Sequence, residues 1–381
     1  MHFSSFVALV ALAATGANAG CHGHRRHHAK VSSGALSSGK STKASSTEAA
    51  GATGAILAAQ ATAKASVSAS FSGKGSSTAS SSAAVASSSS SSSSSKNLGW
   101  GLSGLQKNGI FFGFLPDDGS GGGTSNTITQ INTAMGGKSA AQGWYAQAQS
   151  GTLFDGSQFK WRKDQIISGG VFQPAVMPTG GWWGLTTDDN QQAVAICKVM
   201  KEYTDEGVEV WLRFAHEVNY YQTDGTYSGT KEDFKEAWGV VAKACKEIAP
   251  EVKMWYTPNV ASLDQYDEYF PDDPSTVDLI GVDWYPKQTS GFDFANGSGN
   301  MKAFHDKYTS SNGIKFAIGE IGLGIGASMD ARLSWLKNIM ESNSDMPNMI
   351  AVSWFNYWKD NYSYKVACDS GDSVVKAYFA A

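Results

Sequence analysis

Several features are scarce in this 381-residue sequence, and each scarcity excludes something. The net charge is only -4 and the isoelectric point lies near 6.0, so no basic surface is available for nucleic acid or an anionic membrane. Of seven histidines only His216 and His305 follow residue 96, which argues against a histidine-ligated metal centre in the body of the chain. No apolar run is long enough to span a bilayer. No G-x-G-x-x-G follows the first apolar strand-like run; GSGGG at Gly119–Gly123 has neither the spacing nor a helix start behind it, so a dinucleotide-binding site is not indicated. Cysteine is also sparse. Cys197 and Cys245 both fall in helical patterns and can pair in an oxidising compartment, but with Cys21 and Cys368 three pairings are open.

The first 96 residues do not read as a folded domain. Residues 1–19 have the layout of a signal peptide: a short polar start, the apolar run FVALVALAATGA and a small-residue site at Ala17-Asn18-Ala19. Residues 20–96 begin with HGHRRHH, which can bind copper or zinc at a chain terminus but reads more plainly as a basic leader processed at Arg25-Arg26. The composition then collapses to Ser, Ala, Thr, Gly and Lys. So little apolar surface cannot offset the entropy of ordering, and a disordered, O-glycosylated stalk is expected. Trp, Phe and Tyr become dense from Asn97, and residues 97–381 are enough for one large domain.

Within that domain eight strand-like runs alternate with helical patterns. They are Ile110–Leu115, Gly143–Ala148, Val171–Pro178, Val208–Ala215, Val252–Asn259, Val277–Tyr285, Ile314–Glu320 and Met349–Asn356. Most are continuously apolar, as parallel strands buried on both faces must be. KEDFKEAWGVVAKACKEIAP starts acidic and stops at Pro250, as a helix does. The alternation predicts a (β/α)8 TIM barrel, ahead of a doubly wound open sheet.

In such a barrel the chemistry sits at the C-terminal ends of the strands. VWLRFAHEVN leaves Glu217 at the end of the fourth strand, and AIGEIG leaves Glu320 at the end of the seventh, 103 residues on. Three strand–helix units of roughly 34 residues fill that interval and set the two carboxylates facing across the mouth. Glycosidic cleavage needs such a pair: a neutral acid to protonate the leaving oxygen and an ionised carboxylate to attack the anomeric carbon. Glu217 is assigned as acid/base and Glu320 as nucleophile; the rival reading has each in an ion pair with Arg213 or Lys315. Asp283, near the same mouth, is read as a structural partner of Arg213 and is the carboxylate best placed to displace one of the two.

The domain resembles clan A glycoside hydrolases and is most similar to family 26, whose best-known members are endo-β-mannanases. The resemblance rests on Arg213, His216, Glu217 and Asn219 in an Arg-x-x-His-Glu-x-Asn pattern, on Trp255, Pro258 and Asn259, on YFPDDPSTVDLIGVDWYP, and on FAIGEIG with Glu320 as nucleophile. It is strongest from Val208 onward. It implies the barrel, a retaining mechanism and a β-linked polysaccharide substrate. The chain departs from the family in having Tyr220 and Tyr221 after Asn219, where Gly and then Trp are usual, and Phe214 where Pro often stands.

The surrounding residues complete the expected site. Asn219 is placed to bond a sugar hydroxyl, His216 to bond a hydroxyl or orient a carboxylate, and Tyr285 to hold Glu320 ionised. Aromatic rings stack on the C–H faces of sugars, and Trp183, Trp354 and Trp358 are the first choices for that role. Two sequons, at Asn296 and Asn361, can carry N-glycans. The resulting expectation is a secreted or wall-associated monomeric endo-glycosidase, β-mannan favoured. It takes a polysaccharide partner, with no cofactor, nucleic acid or membrane. An endo-β-1,3/1,4-glucanase, a transglycosylase and a non-catalytic wall-binding protein stay open as alternatives.

Overall fold

The computed structural model describes residues 100–286, 293–297, 299–310, 313–324 and 326–381. The residues read as a signal peptide, the His-rich and Ser-rich segments, Cys21 and Ser298 of the first sequon lie outside these described residues. Eight parallel strands follow one another: β1 (Ile110–Pro116), β2 (Ala141–Gln147), β3 (Val171–Met177), β4 (Trp211–Phe214) and β5 (Lys253–Tyr256), then β6 in two short pieces (Leu279–Ile280 and Asp283–Trp284), β7 (Lys315–Ile321) and β8 (Met349–Asn356). Each pairs with its sequence neighbour, and β8 pairs with β1, so the sheet closes on itself as a (β/α)8 barrel. All eight apolar runs become strands. Closure also removes every open edge.

The helical patterns pack outside this wall. Thr230 caps the helix Lys231–Ile248 in a reciprocal box with Asp233, and the helix stops just before Pro250, as its sequence required. A disulfide joins Cys197 on the helix Gln191–Thr204 to Cys245 on Lys231–Ile248, across a 48-residue separation. Among the described residues no helix is long and apolar enough to cross a membrane.

Inside the barrel, side chains form tiers because every second residue of a strand points inward. The lowest tier takes one residue from each of seven strands, including Trp211, Trp255 and Leu279, and forms an apolar plug. Beneath it Trp211 Nε1 donates to the buried carboxylate of Glu209 at 3.0 Å. Above the plug the interior turns polar: Ser353 Oγ donates to Gln173 Oε1 at 2.6 Å across the barrel, and Arg213 and Asp283 lie fully buried in the centre. This polar tier is the floor of the mouth.

Candidate active site

Glu217 is presented by an unusual strand ending. Ala215 and Glu217 both have left-handed backbone, at φ 50° and 51°. Such a conformation costs a non-glycine residue on the order of 1 kcal/mol or more. It is held by main-chain bonds on either side: Ala215 N donates to Val176 O at 2.9 Å, and Glu217 N to Thr257 O at 2.7 Å. The chain thereby leaves β4 abruptly and turns the Glu217 side chain over the mouth instead of continuing along the wall.

Glu320 arrives by a different device. Between β7 and β8, Ile318 pairs with Val352 and Ile321 with Trp354, so β7 carries one residue more than its partner there. The β6 side agrees, with Ile280 opposite Phe316 but Asp283 opposite Glu320. The extra residue is a bulge, which re-aims side chains next to it. Ala317 and Gly319 face inward, and the bulge lets Glu320 face the mouth as well. Gly319 is required: a Cβ there would lie 2.6 Å from Asp283 Oδ1 and 2.8 Å from Arg213 Nε.

Arg213 lies beneath Glu320 and ties the centre together. Its Nη1 donates to Glu320 Oε1 at 2.9 Å, its Nη2 pairs with Asp283, and its Nε donates to Thr257 Oγ1 at 3.3 Å. The Tyr285 hydroxyl donates to Glu320 Oε2 at 2.6 Å, and His216 Nε2 stands 3.7 Å from Oε1. Burial pushes the Glu320 carboxyl up, but Arg213, His216 and Tyr285 outweigh it and hold the group at about 2. The ion pair foreseen as a rival to catalysis is therefore present, and it is what keeps Glu320 ionised. Burial and the neighbouring arginine push the His216 imidazole down to about 3, so it is neutral near pH 7.

Glu217 is tuned the other way. Burial and then the negative charge of Glu320 raise it to about 7, against a 2.8 Å bond from Asn259 Nδ2 to its Oε1. Two carboxylates share one mouth, one ionised and one protonated over the same pH range. Environments that split a pair in this way separate an acid from a nucleophile. His216, Asp283 and Glu320 also bring donor atoms within 4.8 Å of one another, but both carboxylates already accept from Arg213, whose guanidinium supplies the positive charge there.

The structure revises two expectations. Asn219 does not reach toward a sugar; its Oδ1 accepts from Asn259 N at 2.8 Å and its Nδ2 donates to Asn259 O at 2.9 Å. Asn219 thus fixes Asn259, and Asn259 is the residue that touches Glu217. Trp354 is not a stacking surface. Ser353 and Phe355 take the inward positions of β8, so Trp354 points outward, fully buried in the outer core with Nε1 bonded to Tyr364 O at 2.8 Å. Asp283 is the buried partner of Arg213, as anticipated.

Of the other aromatic candidates, Trp183 is half-buried on the loop after β3. Trp358 is 38 % exposed on a hairpin, β9 (Trp358–Lys359) and β10 (Tyr362–Ser363), that follows β8. Its turn, Asp360-Asn361, is left-handed at both residues, as two-residue hairpins prefer. Tyr357, one of the aromatic residues noted at the end of the eighth strand, stacks on Phe355 at 4.4 Å; sequence reasoning passed over Tyr145, whose ring lies 5.5 Å from His216. The inward parity of Tyr145 on β2 was the available signal.

No protein-family model matches the sequence, and no curated protein sequence matches it at a significant level. Solved structures do. A modular endo-β-1,4-mannanase of glycoside hydrolase family 26 from Cellulomonas fimi is 18% identical, covers 72% of this chain and 70% of its own, and superposes with a TM-score of 0.50. The Bacillus subtilis mannanase BCman is 16% identical over 70% of this chain and 86% of its own, with a TM-score of 0.48. A family 26 endo-β-1,4-mannanase from Bacillus sp. JAMB-750 gives 16%, 65%, 77% and 0.47 in the same order. The first likeness establishes a fold like that of family 26 mannanases.

Proposed function

We propose that the protein is a retaining glycoside hydrolase that cuts within a β-linked polysaccharide, with β-1,4-mannan as first candidate. The observation that carries this reading is the pair of buried glutamates past the ends of β4 and β7, with Arg213 and Tyr285 bonded to Glu320 and only the Asn259 amide bonded to Glu217 among side chains described. The mannan assignment draws on the mannanase whose fold is similar and on the family 26 motifs.

In the first step a Glu320 oxygen attacks the anomeric carbon as the glycosidic bond breaks. The proton of Glu217 passes to the departing oxygen, leaving a glycosyl ester on Glu320. Glu217, now ionised, takes a proton from water, whose oxygen displaces Glu320 and regenerates both groups. Arg213 and Tyr285 hold the nucleophile ionised and oriented between turnovers. His216, neutral and beside Glu320, is available to bond a hydroxyl of the sugar being attacked. Trp183 and Trp358 are the candidate stacking surfaces.

The apolar leader and the Ser-rich segment support secretion, with the domain held out from a wall. Asn361, exposed at the hairpin turn beside Trp358, and Asn296, also exposed, are the two glycan sites.

The test is product release from β-mannan, β-1,3-glucan, mixed-linkage glucan and xylan, comparing the parent with Glu217→Ala and Glu320→Ala. Oligosaccharides released from one polymer and lost in both variants, with the β-anomer formed first by NMR, are expected. An α-anomer as first product would refute retention, and products undiminished in either variant would refute the assigned pair.

A further inference from the structure

The segment between β2 and β3 holds a second group of polar atoms that the proposed chemistry does not use. Trp161 is 61 % exposed, the most exposed large apolar side chain among the described residues. Behind it stands Arg162, only 1 % exposed. The guanidinium carbon lies 3.7 Å from the centre of the Trp161 ring and 4.9 Å from that of Trp144, so the cation is held between two indoles. Within that sandwich Nε and Nη2 of Arg162 are buried and find no hydrogen-bond partner. A buried donor left unpaired is costly, and a guanidinium more so.

The location connects this group with the proposed active site. Gln158, just ahead of Trp161, accepts from Gln147 N at the C-terminal end of β2, on the same barrel face as the two glutamates. Burial lowers the Arg162 guanidinium to about 10; Tyr357, Asp118 and Asp117, at the ends of β8 and β1, act against that fall. The Tyr357 ring lies 6.4 Å from Tyr145, which in turn faces His216. The hydroxyl of Tyr357 is also buried without a partner, and that of Tyr145 is turned to Glu320. Polar side chains thus run from the catalytic pair to Trp161, while a single exposed aromatic ring on an ordinary surface has no such company.

We propose that Trp161 and Arg162 form an outlying subsite that takes a neutral hexopyranose unit of the polysaccharide, beyond the units bound at the cleavage point. This deepens the glycosidase reading and rests on it. One face of the Trp161 indole is backed and stiffened by the guanidinium, and the other is open for the C–H face of a sugar ring. Arg162, 1 % exposed behind that ring, acts by fixing the ring in place and not by touching the sugar. Asp117 and Asp118 nearby favour an uncharged sugar over an acidic one.

The test uses the full chain and β-1,4-linked manno-oligosaccharides graded from disaccharide to hexasaccharide, with mannan as the polymer. For Trp161→Ala, kcat/KM is expected to fall about tenfold on the longest members and the polymer, and to stay within about twofold on the shortest cleaved member. Trp161→Phe should recover most of the loss, and Arg162→Lys should show the same length dependence in milder form. A loss equal at every length, or none at any length, overturns the subsite. Should the parent cleave no member of the series, migration in mannan-containing native gels decides. Retardation of the parent that Trp161→Ala lacks keeps the subsite and removes the hydrolase reading; no difference between the two removes the subsite.

Discussion

Replacing Tyr285 with phenylalanine removes one oxygen atom and, with it, the 2.6 Å bond to Oε2 of Glu320. A hydrogen bond to a charged acceptor is worth about 1.5–3 kcal/mol, and about 1.4 kcal/mol corresponds to one pKa unit. The bond favours the ionised carboxylate, so its loss raises Glu320 by about one to two units. The 2.9 Å bond from Arg213 survives and keeps the group on the acidic side of an ordinary glutamate. Activity requires Glu320 ionised and Glu217 protonated, so it falls below the pKa of the first and above that of the second. The acid limb of kcat/KM, set by Glu320 at about 2 in the parent, should therefore move upward by about one to two pH units. The alkaline limb, set by Glu217 at about 7, should stay where it is, because burial and the Glu320 charge that raise it are unchanged. The assay is initial rates on a soluble polymer at low substrate from about pH 2.5 to about 8.5, with tryptophan fluorescence at each pH to confirm folding. An acid limb that does not move, or an alkaline limb that moves in its place, would refute the assignment of the two roles.

Three further outcomes follow from other contacts. Asn259→Ala removes the 2.8 Å bond that favours ionised Glu217, so the alkaline limb should rise by about one pH unit while the acid limb holds; a fall in the alkaline limb would contradict the placement. Glu209 is raised from 4.5 to about 7 by burial, against its bond from Trp211. The folded state therefore keeps a proton that the unfolded chain has lost, and stability declines between those pH values, by about 3 kcal/mol when complete. Glu209→Gln should raise Tm at pH 8 and leave it nearly unchanged at pH 4; an equal gain at both would show that ionisation is not the cause. Trp354→Ala should cost about 3–5 kcal/mol of stability as a core truncation, whereas Trp358→Ala should leave Tm within a degree or two and raise KM on polymer, as steady-state kinetics beside thermal melts would reveal.

The architecture was legible because it depends on patterns that survive in one dimension. Eight apolar runs at regular spacing became eight strands, and two glutamates closing the fourth and seventh became neighbours once the sheet closed. What escaped depends on parity and on distant partners. In SWFNYW the tryptophan nearest the strand end looked like a cleft residue, yet one step along β8 separates the inward Phe355 from the outward Trp354. Asn219 looked like a sugar ligand because its partner Asn259 stands 40 residues away, past the end of another strand. The unequal protonation of the two glutamates was the least readable feature. It comes from burial of Glu217 beside the Glu320 charge, and from Arg213 reaching Glu320 across 107 residues of sequence. Arg162, between two indoles, could not be told from any surface arginine.

The placement of Arg213 has a consequence for how such a protein can change. The charge that sets the nucleophile comes from below, from Arg213 on β4 and its partner Asp283 on β6. Tyr220, Trp358 and Trp161 stand instead on connecting segments open to solvent. The ion pair beneath the nucleophile and the exposed rings proposed for recognition thus occupy separate storeys of the same barrel. A graft that gives the outlying segments another length has no reason to disturb that ion pair, so new polymers can be tried above an unaltered nucleophile.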